Sequence, residues 1–408
     1  MADASFEYYF QSLNTSLRNH HRAIPCLLLD LDRLDANIDT FLATKNAEAT
    51  FRIVVKSLPS VQLIEYLMER MKTRSLMVFH QPFLSRLSSV LDDQADVLLG
   101  KPMPIKTAES YYRNLPDSGN GFNPYKQIQW LVETEQRMAQ YADLGEKLGR
   151  PLRLNVEIDI GLHRGGIRTL NELRTFLKRF EKRAKHIVFS GLMGYDPHIV
   201  KIPGFIRSQA NSLRKSNAFY EECKQLLKTE FPRLWREDLT FNGAGSPTFH
   251  LHKTGDSPLN DISAGSFLVK PTTFDLPSLD AYKPACYIAT PVLKKLKGTK
   301  LPGLEGVSRL LRRLKPAYAH SYFIYGGFWK ADYHYPKGFR QNSIFGPSTN
   351  QSMLNGPKNT QLEVDDFVFL RPHQSEFVFL QFEEILLMRN MEIVGVWSLL
   401  NNVSIQDA

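Results

Sequence analysis

The sequence predicts an α/β protein: a closed (β/α)8 barrel of the TIM type, followed by a mostly β C-terminal domain. Two observations carry this. From about residue 50 to residue 270, short apolar, β-rich runs alternate with runs of helical periodicity, and eight strand candidates fall within that alternation. After about Pro271 the alternation stops, and short β-like runs divided by prolines and glycines take over. Alternating strand and helix argues for a parallel sheet, and eight repeats argue that it closes. A doubly wound open sheet is the alternative.

Taken in order, Phe6, Tyr9, Phe10, Leu13 and Leu17 recur at helical spacing and predict an amphipathic opening helix. Residues 24–30 read as a strand, and Leu34, Ile38 and Leu42 begin a helix. The barrel strands are expected at 51–56, 75–80, 96–99, 128–133, 152–158, 187–193, 239–242 and 262–269. Helical patterns between them include Val61 to Met71, Met138 to Leu148, and 213–227. In the second domain, strands are expected at 285–292, 318–325, 366–370, 376–380 and 391–397. The domains are drawn at 1–33 (a helix and a strand that joins the β domain), 34–274 (barrel) and 275–408 (β domain, with a basic insertion near 293–315).

Composition narrows the function classes. With 43% hydrophobic and 23% charged residues the chain is an ordinary globular protein, not a disordered one. No apolar run is long enough to span a bilayer, so no membrane role is expected. The first residues lack the basic start and apolar core of a secretory leader. The three cysteines, Cys26, Cys223 and Cys286, have no CxxC spacing, which argues against a disulfide framework or thiolate zinc site and fits the cytoplasm. The formal charge of +9 comes mostly from the 293–315 segment, read as a solvated hairpin or helix insertion. It has no interleaved aromatics for base stacking, so no nucleic-acid partner is expected.

A barrel places its active site at the C-terminal ends of the strands. Those ends are polar, charged or glycine-rich nearly throughout. The first ends in Lys56, at the edge of a buried run. A lysine there is costly to desolvate unless it has a task. Burial favours the neutral amine, which can attack a carbonyl and hold an aldehyde as an imine; the plainer reading is a lysine that snorkels to solvent. After the seventh and eighth strands come Gly243-Ala244-Gly245-Ser246-Pro247-Thr248 and Gly265-Ser266. Glycines let backbone N–H groups converge on an anion, and the hydroxyls add donors, so these loops read as a phosphate cradle. Between them, 159–166 ends a strand in an acid and presents Arg164, a guanidinium able to fix a carboxylate, a phenolate or a ring nitrogen. His163 beside it reads equally well as a surface residue. An amine, a phosphate cradle and an arginine suit an aldehyde cofactor with a phosphate tail, namely pyridoxal 5′-phosphate (PLP).

These residues carry a resemblance. The chain resembles the fold type III PLP-dependent enzymes, the alanine racemase-like group, and within it the D-threonine aldolase and D-serine dehydratase branch. The match runs from Pro25 to Asp32 with Asn37, through Arg52 and Lys56 four residues apart, and through Val156 to Gly166, the most specific segment. It continues through Gly191 to Tyr195 with His198, Gly243 to Thr248, and Gly265 to Phe267. The family's Pro-His and Thr-His around the lysine are Ile53-Val54 and Ser57-Leu58 here. The resemblance implies that Lys56 carries PLP as an imine, and that Arg52, Arg164, Tyr195, Gly243, Gly245, Ser246, Thr248, Gly265 and Ser266 contact it. It implies catalytic roles for Lys56, His198 and His373, a small-molecule amino acid substrate of D configuration, and a homodimer. Metal-dependent members carry a His-x-Cys or His-x-Asp pair. Here His373 is followed by Ser375, so no zinc or manganese site is expected, because a neutral hydroxyl is a poor ligand. Glu376 has the charge but would point to the opposite face of a strand. Elimination, retro-aldol cleavage and racemisation all stay open. A PLP-binding protein with little catalysis, serving cofactor handling, is the alternative, and a barrel binding a phosphorylated sugar without PLP is the third.

Overall fold

The structure is a computed structural model and describes residues 2–20, 23–115, 119–253, 255–299, 320–357 and 360–400. Among these, Ile38–Phe267 with Leu276–Leu279 form one compact unit. The residues up to Asn37, Leu268–Asp275 and those from Asp280 onward form the other.

The chain starts with α1 (Ala2–Asn19), β1 (Cys26–Asp30) and α2 (Leu31–Leu42). The expected eight-stranded barrel follows. Its strands are β2 (Thr50–Val54), β3 (Ser75–Val78), β4 (Asp96–Leu99), β5 (Ile128–Val132), β6 (Leu152–Glu157), β7 (Ile187–Gly194), β8 (Thr240–Gly243) and β9 (Asp261–Ala264). All neighbours pair in parallel, and β2 meets β9 with Arg52 opposite Ser263 and Ile53 opposite Ala264, which closes the ring. The covering helices are α3 (Val61–Met71), α4 (Gln81–Ser88), α5 (Ile105–Arg113), α6 (Pro124–Gln127), α7 (Glu135–Leu148), α8 (Leu170–Glu181), α9 (His198–Lys201) and α10 (Gln209–Glu230).

Local chemistry sets the helix boundaries. Ser60, Thr134, Thr169 and Ser208 each accept a backbone N–H three residues on, capping α3, α7, α8 and α10. Gly149 closes α7 at φ 65°, a left-handed turn that glycine takes without strain. Two of the expected strands run too far. The chain after Val54 turns into a single 3-10 turn, Val55–Ser57, and the chain after Ala264 does the same at Ser266–Leu268.

In the other unit, β1 lies between β10 (Cys286–Leu296), antiparallel, and β16 (Glu384–Arg389), parallel. β11 (His320–Tyr325), β12 (Ala331–Tyr335), β13 (Arg340–Gln341), β14 (Gln351–Gly356), β15 (Phe367–Pro372) and β17 (Glu392–Ser398) complete this mostly antiparallel sheet among the described residues. The buried stripe of α1 (Tyr9, Phe10, Leu13 and Leu17) packs with Leu28, Tyr287 and Phe369. The Tyr9 hydroxyl donates to Asp30 at 2.7 Å, and the Arg33 guanidinium sits 3.5 Å above the Tyr9 ring. The expected strand at 376–380 is a correction: Ser375–Phe379 form a short helix, α11, in which the buried Ser375, Val378 and Phe379, three and four residues apart, share one face. The opposite-face argument for Glu376 therefore lapses. The basic 293–315 segment lies largely outside the described residues. Among the described residues, no helix is long and apolar enough to cross a membrane.

Candidate active site

The site is built on the C-terminal ends of the barrel strands. The 3-10 turn after β2 carries Lys56, which is half-buried, with its Nζ 4.3 Å from the centre of the Phe79 ring. Phe79 follows β3 directly, and Gly100 follows β4. A Cβ on Gly100 would stand 2.2 Å from the Phe79 ring, so the missing side chain there lets the ring lie flat beside the lysine. Sequence reasoning passed over Phe79, and only its position at a strand end marked it.

Ser57, next to Lys56, joins this turn to the last strand: the Ser266 hydroxyl donates to the Ser57 hydroxyl at 2.9 Å. Gly265 packs so closely that an added Cβ would lie 2.8 Å from the Val54 carbonyl oxygen. The N–H groups of Gly265 and Phe267 both donate to the Ser246 hydroxyl, at 3.3 and 3.2 Å. The loop after β8 thus docks on the loop after β9. Gly243 ends β8, and Ala244 turns the chain at φ 64°, a left-handed conformation unusual for alanine. A Cβ on Gly245 would lie 2.8 Å from the Tyr195 ring, so Tyr195 backs this loop.

The loop after β6 presents Arg164. Its guanidinium carbon is 5.2 Å from the centre of the Tyr195 ring. Asp159 shapes the loop by accepting the N–H groups of Gly161 and His163, at 3.0 and 2.8 Å, and by pairing with the His163 ring at 2.9 Å. Burial works to raise the Asp159 carboxyl, but these hydrogen bonds outweigh it and hold it below the usual range. His163 sits at φ 57° with its side chain exposed, which favours the surface reading.

Two glutamates complete the rim. Glu133 follows β5 and accepts the Gly166 N–H at 2.6 Å. Glu157 ends β6, and its carboxyl is pushed up to about 7, first by burial and then by Glu133, with Arg164 offsetting part of the rise. Sequence reasoning saw Glu133 only as strand-end polarity and Glu157 only as part of the matching segment Val156 to Gly166.

Four expected site residues have other partners. Arg52, expected against the cofactor, is buried in the barrel interior: it donates to both carboxylate oxygens of Asp261 at 2.9 and 2.8 Å and to Asp96 at 2.6 Å. Those aspartates begin β9 and β4, so Arg52 faces the N-terminal end of the barrel, and its role is corrected to that of a structural charge. Its own charge is stabilised by these carboxylates, which outweigh the large cost of burial. Thr248 is fully buried and spends its hydroxyl on Asp196, so it anchors the loop and is not a free donor. His198 is buried at the start of α9, with Nε2 3.2 Å from the Ser216 hydroxyl and Nδ1 without a partner among the described residues. Burial keeps this imidazole below the ordinary histidine range. His373 belongs to the β unit, where its Nε2 meets an Asp332 oxygen at 2.9 Å and the buried Ser375 hydroxyl has no partner among the described residues.

The family described as alanine racemase, N-terminal domain, matches residues 29–270, and the chain belongs to that family. A search of curated proteins finds no match. Solved structures with the same fold include D-threonine aldolase from Filomicrobium marinum (TM-score 0.71, 14% identity, 93% of this chain and 97% of that one). They also include D-threo-3-hydroxyaspartate dehydratase from Delftia sp. HT23 (0.69, 13%, 92% and 96%). Alanine racemase from Bacillus anthracis is similar too (0.68, 14%, 93% and 99%). At these identities the likeness is one of fold.

The residues present fit PLP. Two N–H groups converge on the Ser246 oxygen and fix that hydroxyl, whose own proton remains as a donor for a phosphate oxygen. The strained turn at Ala244 and the bare Gly245 and Gly265 keep side chains out of that cradle. Lys56 is one residue from the Ser57–Ser266 link that ties its turn to the loop after β9.

Proposed function

We propose that the chain is a PLP-dependent enzyme acting at the α-carbon of a small amino acid, of D configuration, by lyase, aldolase or racemase chemistry. The observation that carries this is that the turn holding Lys56 is tied through the Ser57 hydroxyl to Ser266, while the flanking Gly265 and Phe267 N–H groups hold the Ser246 hydroxyl of the neighbouring loop. When bound, PLP withdraws electrons from the substrate α-carbon.

The chain supplies the rest. Lys56 provides the amine that anchors the cofactor's aldehyde carbon and, once released, a base for the α-proton. The Ser246 hydroxyl, whose oxygen is held by the Gly265 and Phe267 N–H groups, keeps its own proton to donate to the phosphate, with Ser266 beside it. Arg164, held over Tyr195, sets a fixed positive charge at the mouth. His198, kept neutral by burial, is a second candidate to move a proton. The D configuration is supported by the names of two of the similar structures. Among the described residues no group of three or more histidine, cysteine or acidic side chains is placed to hold a metal ion. With a hydroxyl at Ser375, the chemistry is assigned to the protein's own acids and bases. A cytoplasmic homodimer is part of the same proposal.

The rival reading is a PLP-holding protein with little catalysis. It draws on the same pairing of His373 with Asp332 and on Ser375, which leave the metal-ligand position without a second charged ligand. The test is a panel of D- and L-amino acids added to PLP-loaded protein. An enzyme shifts the visible absorbance and yields keto acid, aldehyde or the opposite enantiomer. A protein that binds PLP but gives none of these with any amino acid is a carrier.

A further inference from the structure

Behind the cradle lies a chain of hydrogen bonds that substrate chemistry does not require. Asp196 is buried at 1% exposure, in the loop after β7. A buried carboxylate is costly unless it is fully paired. Here one oxygen accepts the Thr248 hydroxyl at 2.5 Å, and the other meets His252 Nε2 at 2.8 Å. His252 is itself 2% exposed, and its Nδ1 meets the Ser257 hydroxyl at 2.8 Å. Four side chains from three segments are thus joined in series.

Two members of this series, Thr248 and Asp196, bear on the cradle. Thr248 closes the loop after β8: its N–H and that of Phe249 both donate to the Gly245 carbonyl at 2.9 Å. Asp196 is bonded in sequence to Tyr195, whose ring backs Gly245. A single carboxylate therefore fixes the far end of the cradle loop and the wall behind it. A donor such as the Ser246 hydroxyl binds an anion well only when held within a few tenths of an ångström of the productive geometry. The loop needs such an anchor because its left-handed turn at Ala244 is strained.

We propose that Asp196 and His252 are positioning residues which, by fixing Thr248, set the cradle loop and give the protein its preference for a phosphorylated over an unphosphorylated pyridoxal. This rests on the PLP reading of the site. Neither side chain touches the cofactor in this account; they act through Thr248 and Tyr195.

The test is an absorbance titration of the full-length apoprotein with pyridoxal 5′-phosphate and, separately, with pyridoxal. The variants are Asp196→Asn, His252→Gln, Thr248→Val and Thr248→Ser. The expected result is a loss of about tenfold or more in affinity for the phosphorylated form in Asp196→Asn and Thr248→Val. Affinity for pyridoxal stays within about twofold, and Thr248→Ser behaves as wild type. His252→Gln falls between. An unchanged preference in both Asp196→Asn and Thr248→Val overturns the proposal, as does a parallel loss for both ligands, which marks a purely structural role. If Asp196→Asn does not fold, the isosteric Thr248→Val decides alone. A wild-type protein that binds neither ligand overturns the reading of the site itself, and this inference with it; a wild type that binds both equally overturns the inference alone.

Discussion

The Ser266 hydroxyl donates to the Ser57 hydroxyl across 2.9 Å, so the last barrel strand is tied to the residue that follows Lys56. The turn that carries the amine and the last strand's loop are therefore neighbours through the fold, although Ser57 and Ser266 are 209 positions apart in the chain.

That proximity depends on Gly265. An added Cβ there would meet the Val54 carbonyl at 2.8 Å and the Ser57 Cβ at 3.2 Å, and backbone cannot move aside cheaply. Gly265→Ala is expected to destabilise the fold by about 1–3 kcal/mol and to weaken PLP binding about tenfold or more. Gly204→Ala, where nothing lies within 4 Å, is the control and should change neither. Thermal melts and PLP titration of the two variants check this.

Arg52 is expected to matter for folding and not for the cofactor directly. Its removal leaves the buried Asp261 without that cation and the partly exposed Asp96 with Arg153 alone. Breaking one partner of a buried pair costs about 3–5 kcal/mol. Arg52→Met should therefore lower the melting temperature sharply in the apoprotein, in the absence of any ligand. Denaturant unfolding of the apoprotein measures it.

Glu157 gives a pH dependence with a definite sign. Its carboxyl is raised from 4.5 in the unfolded chain to about 7 in the folded one. Between those values the folded state holds a proton that the unfolded state has lost, so stability falls as pH rises through that window and levels off above it. Partial exposure reduces the effect to the order of 1–2 kcal/mol. Glu157→Gln should remove this slope and be more stable than wild type at pH 8. Melting curves from pH 4.5 to 8.5 read it, and parallel curves for the two proteins would contradict it.

The β unit gives a prediction about metals. His373 already pairs with Asp332, and Ser375 offers only a buried hydroxyl. Dialysis against a chelator is expected to leave PLP binding and turnover unchanged, and added zinc or manganese to raise neither. His373→Ala should change stability by less than about 1 kcal/mol, because Asp332 is largely exposed. Metal analysis of the purified protein with parallel assays tests both.

Much of the fold was legible because the barrel strands are short and mostly buried, and Ser60, Thr134, Thr169 and Ser208 cap helices between them. Thr134 shows the limit of that legibility. It reads as mouth polarity, but its hydroxyl caps α7. At 376–380 the run Phe377-Val378-Phe379-Leu380 has strand-like composition, and a short apolar run does not reveal its period. Lys56 and the two glycine loops stood out because their residue types are unusual at strand ends. Arg52 misled because its spacing from Lys56 matches a family motif, while side chains alternate along a strand and only the pairing register shows where a guanidinium ends up. Asp196 and His252 are 56 residues apart and carry no local pattern, so only the folded chain brings them together.

The central claim is that Lys56 is the residue that carries the cofactor. The most direct measurement is borohydride reduction of PLP-treated protein, followed by proteolysis and mass spectrometry. The account predicts a stable pyridoxyl phosphate adduct on the peptide containing Lys56, lost in Lys56→Ala. An adduct confined to other lysines, or none with saturating PLP, would contradict it.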